Sequence, residues 1–317
     1  MAIFLVKRLA GALVVLFVVS VITFGLSLLI PGDPAIHIAG EHATREEIAA
    51  VRTGLGLDQP VAVRYLSWAG AAVTGDLGTS LYNSQPVTEI LMERLPVTLS
   101  LAMAAMAVAV LISLPLGTLA ALRPGGRLDR VISSGTALAV ATPSFWLGLM
   151  LILALAITVP VFPATGFRPL TDGAGAFAAH LALPALTLGV AAAVEPTRQL
   201  RAALADVLDT DYVRTARAKG LLPLTVLRKH AVRNAAVPFV TVLGLETGQL
   251  LGGAVVVEAV FGLPGLGTLA ESTVTRQDLP VLQGIVITST VVVVAANLAV
   301  DLAYRWLTPG AQTGAAA

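Results

Sequence analysis

The chain has 317 residues, 56% of them hydrophobic and only 12% charged, with a net charge of +1 and a mean hydropathy of +0.85. Soluble domains carry about 25% charged residues, so this balance suits a chain dissolved in lipid. Near-zero net charge gives no case for nucleic-acid binding, and the absence of cysteine excludes disulfides, thiolate metal sites and cysteine nucleophiles together.

Lys7 and Arg8 precede the apolar stretch Leu9–Ile30. A signal peptide has a similar start, but its apolar core is about 7–15 residues long and ends at a small-residue cleavage site. This stretch is longer and runs into Pro31-Gly32-Asp33-Pro34, so it reads as a retained first span entering from the cytoplasm. Residues 31–96 are the most soluble-looking part. Acids (Asp33, Glu41, Glu46, Glu47, Asp58, Asp76, Glu89, Glu93) outnumber bases (Arg45, Arg52, Arg64, Arg94). Thr44 and Glu47 fit a capping box. Asp58 before Pro60 predicts a second short helix carrying Tyr65, Leu66 and Trp68, Gly75-Asp76-Leu77-Gly78 is turn chemistry, and Pro86–Leu95 predicts a third short helix. The segment is expected to form a small extracytoplasmic cap.

Five more apolar stretches follow: Val97–Leu122, Val131–Val159, Leu181–Leu200, Phe239–Val260 and Val281–Leu307. Each is long enough to cross a hydrocarbon core of about 30 Å. Arg123, Arg127 and Arg130 crowd one connecting loop, whereas Pro160–His180 and Phe261–Pro280 carry only Arg168 and Arg276. The Lys/Arg bias predicts six spans with both termini cytoplasmic, in an all-α integral membrane protein of one domain, 1–317.

The longest basic run is Asp211 to Pro238, with Arg214, Arg217, Lys219, Arg228, Lys229 and Arg233. It reads as helix, sharp turn, helix. Asp211 is expected to cap the first helix, Gly220 to end it in a left-handed conformation, and Pro223 to start the next. Two readings stand side by side: a basic loop obeying the positive-inside rule, or a rigid peg for a cytoplasmic partner.

Catalytic motifs are missing. A phosphate-binding Walker loop needs Gly-Lys, and neither Lys7, Lys219 nor Lys229 follows a glycine. There is no Gly-x-Ser-x-Gly and no His-Glu-x-x-His; His37, His42, His180 and His230 are scattered, and no metal site is expected. Gly265-Leu266-Gly267-Thr268-Leu269-Ala270 matches a dinucleotide fingerprint, but apolar spans flank it, so Phe261–Gly267 reads as a tight outer turn. Polar residues inside spans say more, because burying them costs free energy. Glu246 and Gln249 share one face of the fifth span, beside Gly244, Gly248 and Gly252, whose spacing admits a second helix. The glycine row lets another helix approach closely, and a functional role for the set stands beside interhelical hydrogen bonding, the plainer alternative for Glu246. Asn297 and Asp301 sit four apart on the sixth span, and Glu195-Pro196 marks where the fourth loosens toward the elbow.

The segments Tyr212-Val213-Arg214-Thr215-Ala216-Arg217-Ala218-Lys219-Gly220 and Arg228-Lys229-His230-Ala231-Val232-Arg233-Asn234-Ala235-Ala236-Val237-Pro238 resemble the cytoplasmic coupling loop of ABC importer permeases. The similarity is to the first permease subunit of the dipeptide/oligopeptide/nickel branch, and it covers nearly the whole chain. It includes Pro31-Gly32-Asp33-Pro34-Ala35, Gly75-Asp76-Leu77-Gly78-Thr79-Ser80 and the turn Phe261–Gly267. Arg214 stands where other branches have glutamate, and Thr308-Pro309-Gly310 departs from the branch's acidic-Pro-basic ending.

The resemblance implies a type I importer permease in the bacterial cytoplasmic (inner) membrane, with a coupling loop over 204–236. Tyr212, Arg214, Thr215, Ala216, Arg217, Ala218, Lys219 and Gly220 would then couple to the ATPase. The implied partners are a second homologous permease, two ABC ATPase subunits that bind ATP and Mg, and an extracytoplasmic substrate-binding protein. The chain itself would be no enzyme and hold no cofactor, and the cargo would be a peptide or a related substrate. A stand-alone secondary transporter or channel is the other class. It calls for ionisable residues deep in several spans, or repeats with broken helices, and only Glu246 answers.

Overall fold

The computed structural model describes residues 2–28, 34–39, 43–54 and 56–307. Among them the chain is almost wholly α-helical, with a single isolated β-bridge between Thr79 and Pro86. It divides into two compact units, Met1–Pro96 with Thr268–Val294, and Val97–Gly267 with Ala295–Ala317.

In the first unit, α1 (Ala2–Ser27) is the apolar helix that follows from Leu9–Ile30, though Pro31, Gly32 and Asp33 lie outside the described residues. Short helices α2 (Pro34–Ala39), α3 (Arg45–Gly54) and α4 (Val61–Val73) follow. The capping box forms: the Thr44 N–H donates to Glu47 Oε2 at 2.7 Å, and the Glu47 N–H donates to Thr44 Oγ1 at 3.3 Å. The backbone and hydroxyl hydrogen bonds from Thr44 hold the Glu47 carboxyl below its ordinary pKa. α4 meets α1 through an aromatic cluster, with the Phe24 ring centroid 5.5 Å from Tyr65 and 5.8 Å from Trp68. Asp76 closes the predicted turn by accepting from the Gly78 N–H at 2.9 Å. The third short helix does not stand alone. α5 (Val87–Leu122) runs unbroken for 36 residues through Pro96, so Pro86–Leu95 and the second span are one helix.

The second unit contains most of α5 and the helices that pack on it. The stretch Val131–Val159, expected as one span, is carried by two helices, α6 (Arg127–Ala141) and α7 (Ser144–Ile152), the latter ending in the π-helical turn Leu153–Thr158. They meet at 100°. Pro143 explains the break: a proline disfavours helical geometry in the residue before it, and Thr142 is extended, at φ −88° and ψ 118°. α8 (Ala174–Ala192) and α9 (Val194–Leu208) divide the expected fourth span at Ala193, two residues before Glu195-Pro196. The core gathers Leu101, Ala105, Leu183, Leu188, Leu250, Val257, Phe261 and Leu263. Here α8 approaches α5 so closely that a Cβ on Gly189 would lie 2.7 Å from the Ala105 carbonyl, which only glycine permits.

Five described helices are long and apolar enough to cross a membrane: Val6–Leu26, Val87–Leu122, Ala174–Ala192, Asn234–Phe261 and Leu279–Leu302; the bent pair α6–α7 makes a sixth if it is one span. Such helices satisfy their own backbone hydrogen bonds, as lipid requires.

α12 (Val232–Phe261) ends on Gly262 in the left-handed conformation, φ 60°, and the chain turns at once into α13 (Leu266–Arg276). Within the second unit, the fully buried Glu258 organises this turn. It accepts from Thr98 Oγ1 at 2.6 Å and from the Gly267 N–H at 2.8 Å, and Thr98 Oγ1 accepts in turn from the Leu266 N–H at 2.8 Å. A carboxylate against the free N–H groups of a helix start is favourable, and removing it leaves buried donors unpaired. Glu258→Ala is therefore expected to destabilise the detergent-purified chain by about 1–3 kcal/mol, measured as a lowered thermal midpoint. An unchanged midpoint would mean that the network is dispensable.

Candidate functional site

The basic elbow projects from a scaffold of α9 and α12. Leu200, Leu204, Ala231, Ala235 and Phe239 pack there with Ala121 at the end of α5. α9 is also pinned to α6. Arg201 Nε donates to Asp129 Oδ1, and Arg201 Nη2 donates to Asp129 Oδ2 at 2.6 Å, with the Asp129 side chain 4% exposed and that of Arg201 34%. Asp129 also accepts from the Gly125 N–H at 2.8 Å, which ties down the arginine-rich loop. Two-point guanidinium–carboxylate bonds fix orientation as well as distance.

The elbow is helix, turn, helix. α10 spans Asp211–Ala218 and α11 Pro223–Val226; five residues of π-helical turn, Leu227–Ala231, then lead into α12. Asp211 does not cap α10. Thr210 holds the cap position with no side-chain cap bond, and its hydroxyl donates back to the Val207 carbonyl at 2.6 Å. Asp211 is the first helical residue, where its negative charge still suits the helix N-terminus.

Gly220 ends the helix as expected, at φ +79°. Its N–H donates to the Arg217 carbonyl at 2.9 Å, and the Leu221 N–H donates to the Ala216 carbonyl at 3.3 Å. This pair of bonds is the Schellman closure, and it satisfies carbonyls that a helix end otherwise leaves free. Beneath it Val213, Ala216 and Val226 are buried together, with Leu221, Val207 and Leu208 packed against them. α10 and α11 therefore share a small core of their own.

This geometry sorts the expected coupling residues. Tyr212, Arg214, Thr215, Arg217, Ala218, Lys219 and Gly220 are exposed. Ala216 is 7% exposed and faces inward, so its small size serves the elbow's own packing rather than an outer surface. Arg214 reaches Asp209 at 3.1 Å and Asp211 at 3.4 Å, exposed pairs worth little to stability. Tyr212 accepts from Asn234 Nδ2 at 2.9 Å, tying α10 to the start of α12. Arg217 lines a cleft of about 500 Å³ with Leu122, Pro124, Asp206, Leu208 and Asp209.

The second expected set divides. Glu246 is buried at 6% exposure, whereas Gln249, one turn away, is exposed. Gly244 lies against Val300 of α14 (Leu279–Leu307), but no atom comes within 4 Å of a Cβ placed on Gly248 or Gly252. Among the described residues the glycine row thus meets another helix at Gly244 alone, and Gly248, Gln249 and Gly252 are exposed. Among the described residues no group of three or more His, Asp or Glu is placed to hold a metal ion. Sequence reasoning missed Glu258 and the Asp129–Arg201 pair. Glu258 was signalled by its place at the end of an apolar run just before Pro264-Gly265; Asp129 was hidden among Arg123, Arg127 and Arg130.

Two family models match the chain. Residues 113–313 match the binding-protein-dependent transport system inner membrane component, and residues 1–102 match the N-terminal part of such membrane components. A putative peptide transport system permease protein of Brucella abortus (strain 2308) is 40% identical over 305 residues, covering 96% of this chain and 97% of the relative. An oligopeptide transport system permease protein of Bacillus subtilis (strain 168) is 37% identical over 312 residues, covering 98% and 99%. A glutathione transport system permease protein of Escherichia coli O6:H1 is 40% identical over 306 residues, covering 96% and 97%. In fold, the chain is similar to an inward-facing structure of the MetNI methionine ABC transporter, with TM-score 0.59 and 22% identity over 71% of this chain and 99% of that one.

Nothing lies within 4 Å of a Cβ at Gly220, so substitution there is opposed by backbone conformation alone. Gly220→Ala should cost roughly 1–2 kcal/mol, and a β-branched residue more. Faster amide exchange is expected at Gly220→Val's α10, and none in the core around Leu101; unchanged exchange in α10 would show that the left-handed turn is unimportant.

Proposed function

Since the chain belongs to the binding-protein-dependent transport system inner membrane component family, we propose that its elbow is the element through which ATP hydrolysis reaches the membrane. The chain is a permease subunit of an ABC importer, and ATP is hydrolysed in separate subunits. It pairs with a second, homologous permease to form the translocation pathway, and peptides or related molecules cross that pathway after delivery by a binding protein. The names of the peptide, oligopeptide and glutathione permeases it resembles support that cargo class. ATP and Mg belong to two partner ATPases.

Orientation follows from charge. Lys7, Arg8, Arg123, Arg127, Arg130 and the elbow lie on the cytoplasmic side of the bacterial inner membrane, both termini included. Residues 31–96 and the turn after α12 face outward. Residues 204–236 form the coupling loop. The observation that carries this reading is the folded elbow: eight helical residues closed on Gly220, with a buried core and an exposed basic surface, are a device for contact rather than a linker. Arg217 and Lys219 add electrostatic steering toward an ATPase surface, and that contribution weakens with salt. Glu246, Gln249 and the glycine row belong to the pathway or to the permease–permease interface, where small residues let helices approach.

The test uses the assembled transporter in lipid: both permeases, the ATPases of the same system and its binding protein. Gly220→Val is expected to leave insertion and permease pairing intact. It should lower binding-protein-stimulated ATP hydrolysis severalfold and reduce recovery of the ATPase on tagged permease. Normal stimulation and recovery would reduce Asp211–Pro238 to a basic loop.

A further inference from the structure

The first unit contains a pocket of about 220 Å³ that the coupling reading leaves unused. Its wall is the loop from Ser80 to Gln85 together with residues of α5, α13 and α14 that belong to the same unit. The loop is held by its own hydrogen bonds. The Thr79–Pro86 bridge closes its base. Inside it, the buried Asp278 carboxylate accepts from the Ser80 hydroxyl and from the Leu81 N–H at 3.1 Å. Ser80 Oγ accepts in turn from the Tyr82 and Asn83 N–H groups at 3.2 and 3.3 Å. Ser84, at φ 57°, lies in this loop, and Gln277, at φ 55°, separates Arg276 from Asp278. Among the described residues these are the two non-glycine residues with positive φ, a conformation that side chains disfavour and that only a well-determined surrounding holds.

The pocket is lined by two guanidinium groups, Arg94 and Arg276, and two carboxylates, Glu93 and Asp278, and the Asp278 oxygens are turned to the Ser80 hydroxyl and the Leu81 N–H. The Arg276 guanidinium lies 4.1 Å from the centroid of the Tyr82 ring, which orients it without neutralising it. Among the described residues, no ion pair joins Arg94 or Arg276 to an acid. Tyr82 is 64% exposed at the rim.

We propose that this pocket receives one acidic side chain of the importer's soluble binding protein, with Arg94 and Arg276 binding the carboxylate and Tyr82 meeting the surface around it. The proposal rests on the reading of the chain as an importer permease with this loop outward. Size favours a protein side chain over free cargo: pockets for small molecules measure about 300–1,000 Å³, and this one, at about 220 Å³, falls below that range. Chemistry agrees, because guanidinium groups pair with carboxylates in two-point geometry. Arginine and tyrosine are also the residues that most often carry the binding energy of a protein interface.

The test measures binding-protein-stimulated ATP hydrolysis of the complete transporter as a function of the concentration of liganded binding protein. Wild type must first show stimulation; if it shows none, the importer reading fails before the pocket is at issue. Given stimulation, Arg94→Glu and Arg276→Gln are each expected to raise the half-saturating concentration roughly tenfold, as loss of one member of a close interfacial charge pair does. Recovery of the ATPases on tagged permease checks that each variant is assembled. An Asp→Lys or Glu→Lys change on the binding protein should then restore the half-saturation of Arg94→Glu. Unchanged half-saturation in both assembled variants would overturn the proposal. So would unchanged half-saturation with altered transport of a free peptide relative to its C-terminally amidated form, because the carboxylate would then come from the cargo.

Discussion

Helix α10 has eight residues, far fewer than the ~12–15 that an isolated helix needs even to be marginal in water. Its stability comes from how it is closed. The Leu221 and Gly220 N–H groups turn back onto Ala216 and Arg217, and the reversal places Val213 and Ala216 over Val226. Both effects depend on one residue that can hold φ +79°. The exposed basic surface of Arg214, Arg217 and Lys219 inherits its shape from that closure. A partner that pushes on the elbow pushes on a folded body, not on a tether.

The same need for definition recurs deeper in the second unit. Lipid supplies no hydrophobic drive between helices, so geometry is set by close packing and by a few polar contacts. Gly189 against Ala105 is one close approach. Glu258, buried among Thr98, Leu266 and Gly267, holds the turn after α12, and Asp129 with Arg201 holds α6 to α9 beneath the elbow. Below the elbow, Leu204 of α9 packs with Ala231 and with Ala235 of α12, so the two helices meet in a close-packed joint.

What was legible in the sequence was what local chemistry dictates. Gly220 and Pro223 punctuate the elbow so firmly that helix, turn and helix follow from composition. Thr44 and Glu47 announce their capping box in the same way. The cap of α10 was misassigned because Thr210 and Asp211 are neighbours of similar capping preference, and only the backbone distinguishes them. Hydropathy merged α6 and α7, since Thr142-Pro143 interrupts the apolar run without changing its polarity, while the bend depends on dihedrals. Pro96 erred the other way: a proline read as a boundary lies inside one continuous α5. Glu246 and Gln249 share a face by spacing, yet one is buried and the other open, because burial depends on neighbours distant in sequence. The role of Ala216 was hidden for the same reason, as Val226 covers it only once the chain has turned.

The central claim is that the elbow is rigid by itself. The chain lacks cysteine, so Arg198→Cys and Lys219→Cys would place exactly one spin-label pair, on exposed positions of α9 and at the end of α10. Pulsed electron resonance on the paired permeases, with and without their ATPases, should give one narrow distance distribution at the same position in both states. A broad distribution that sharpens only when the ATPases bind would contradict the account, because the elbow would then be folded by its partner.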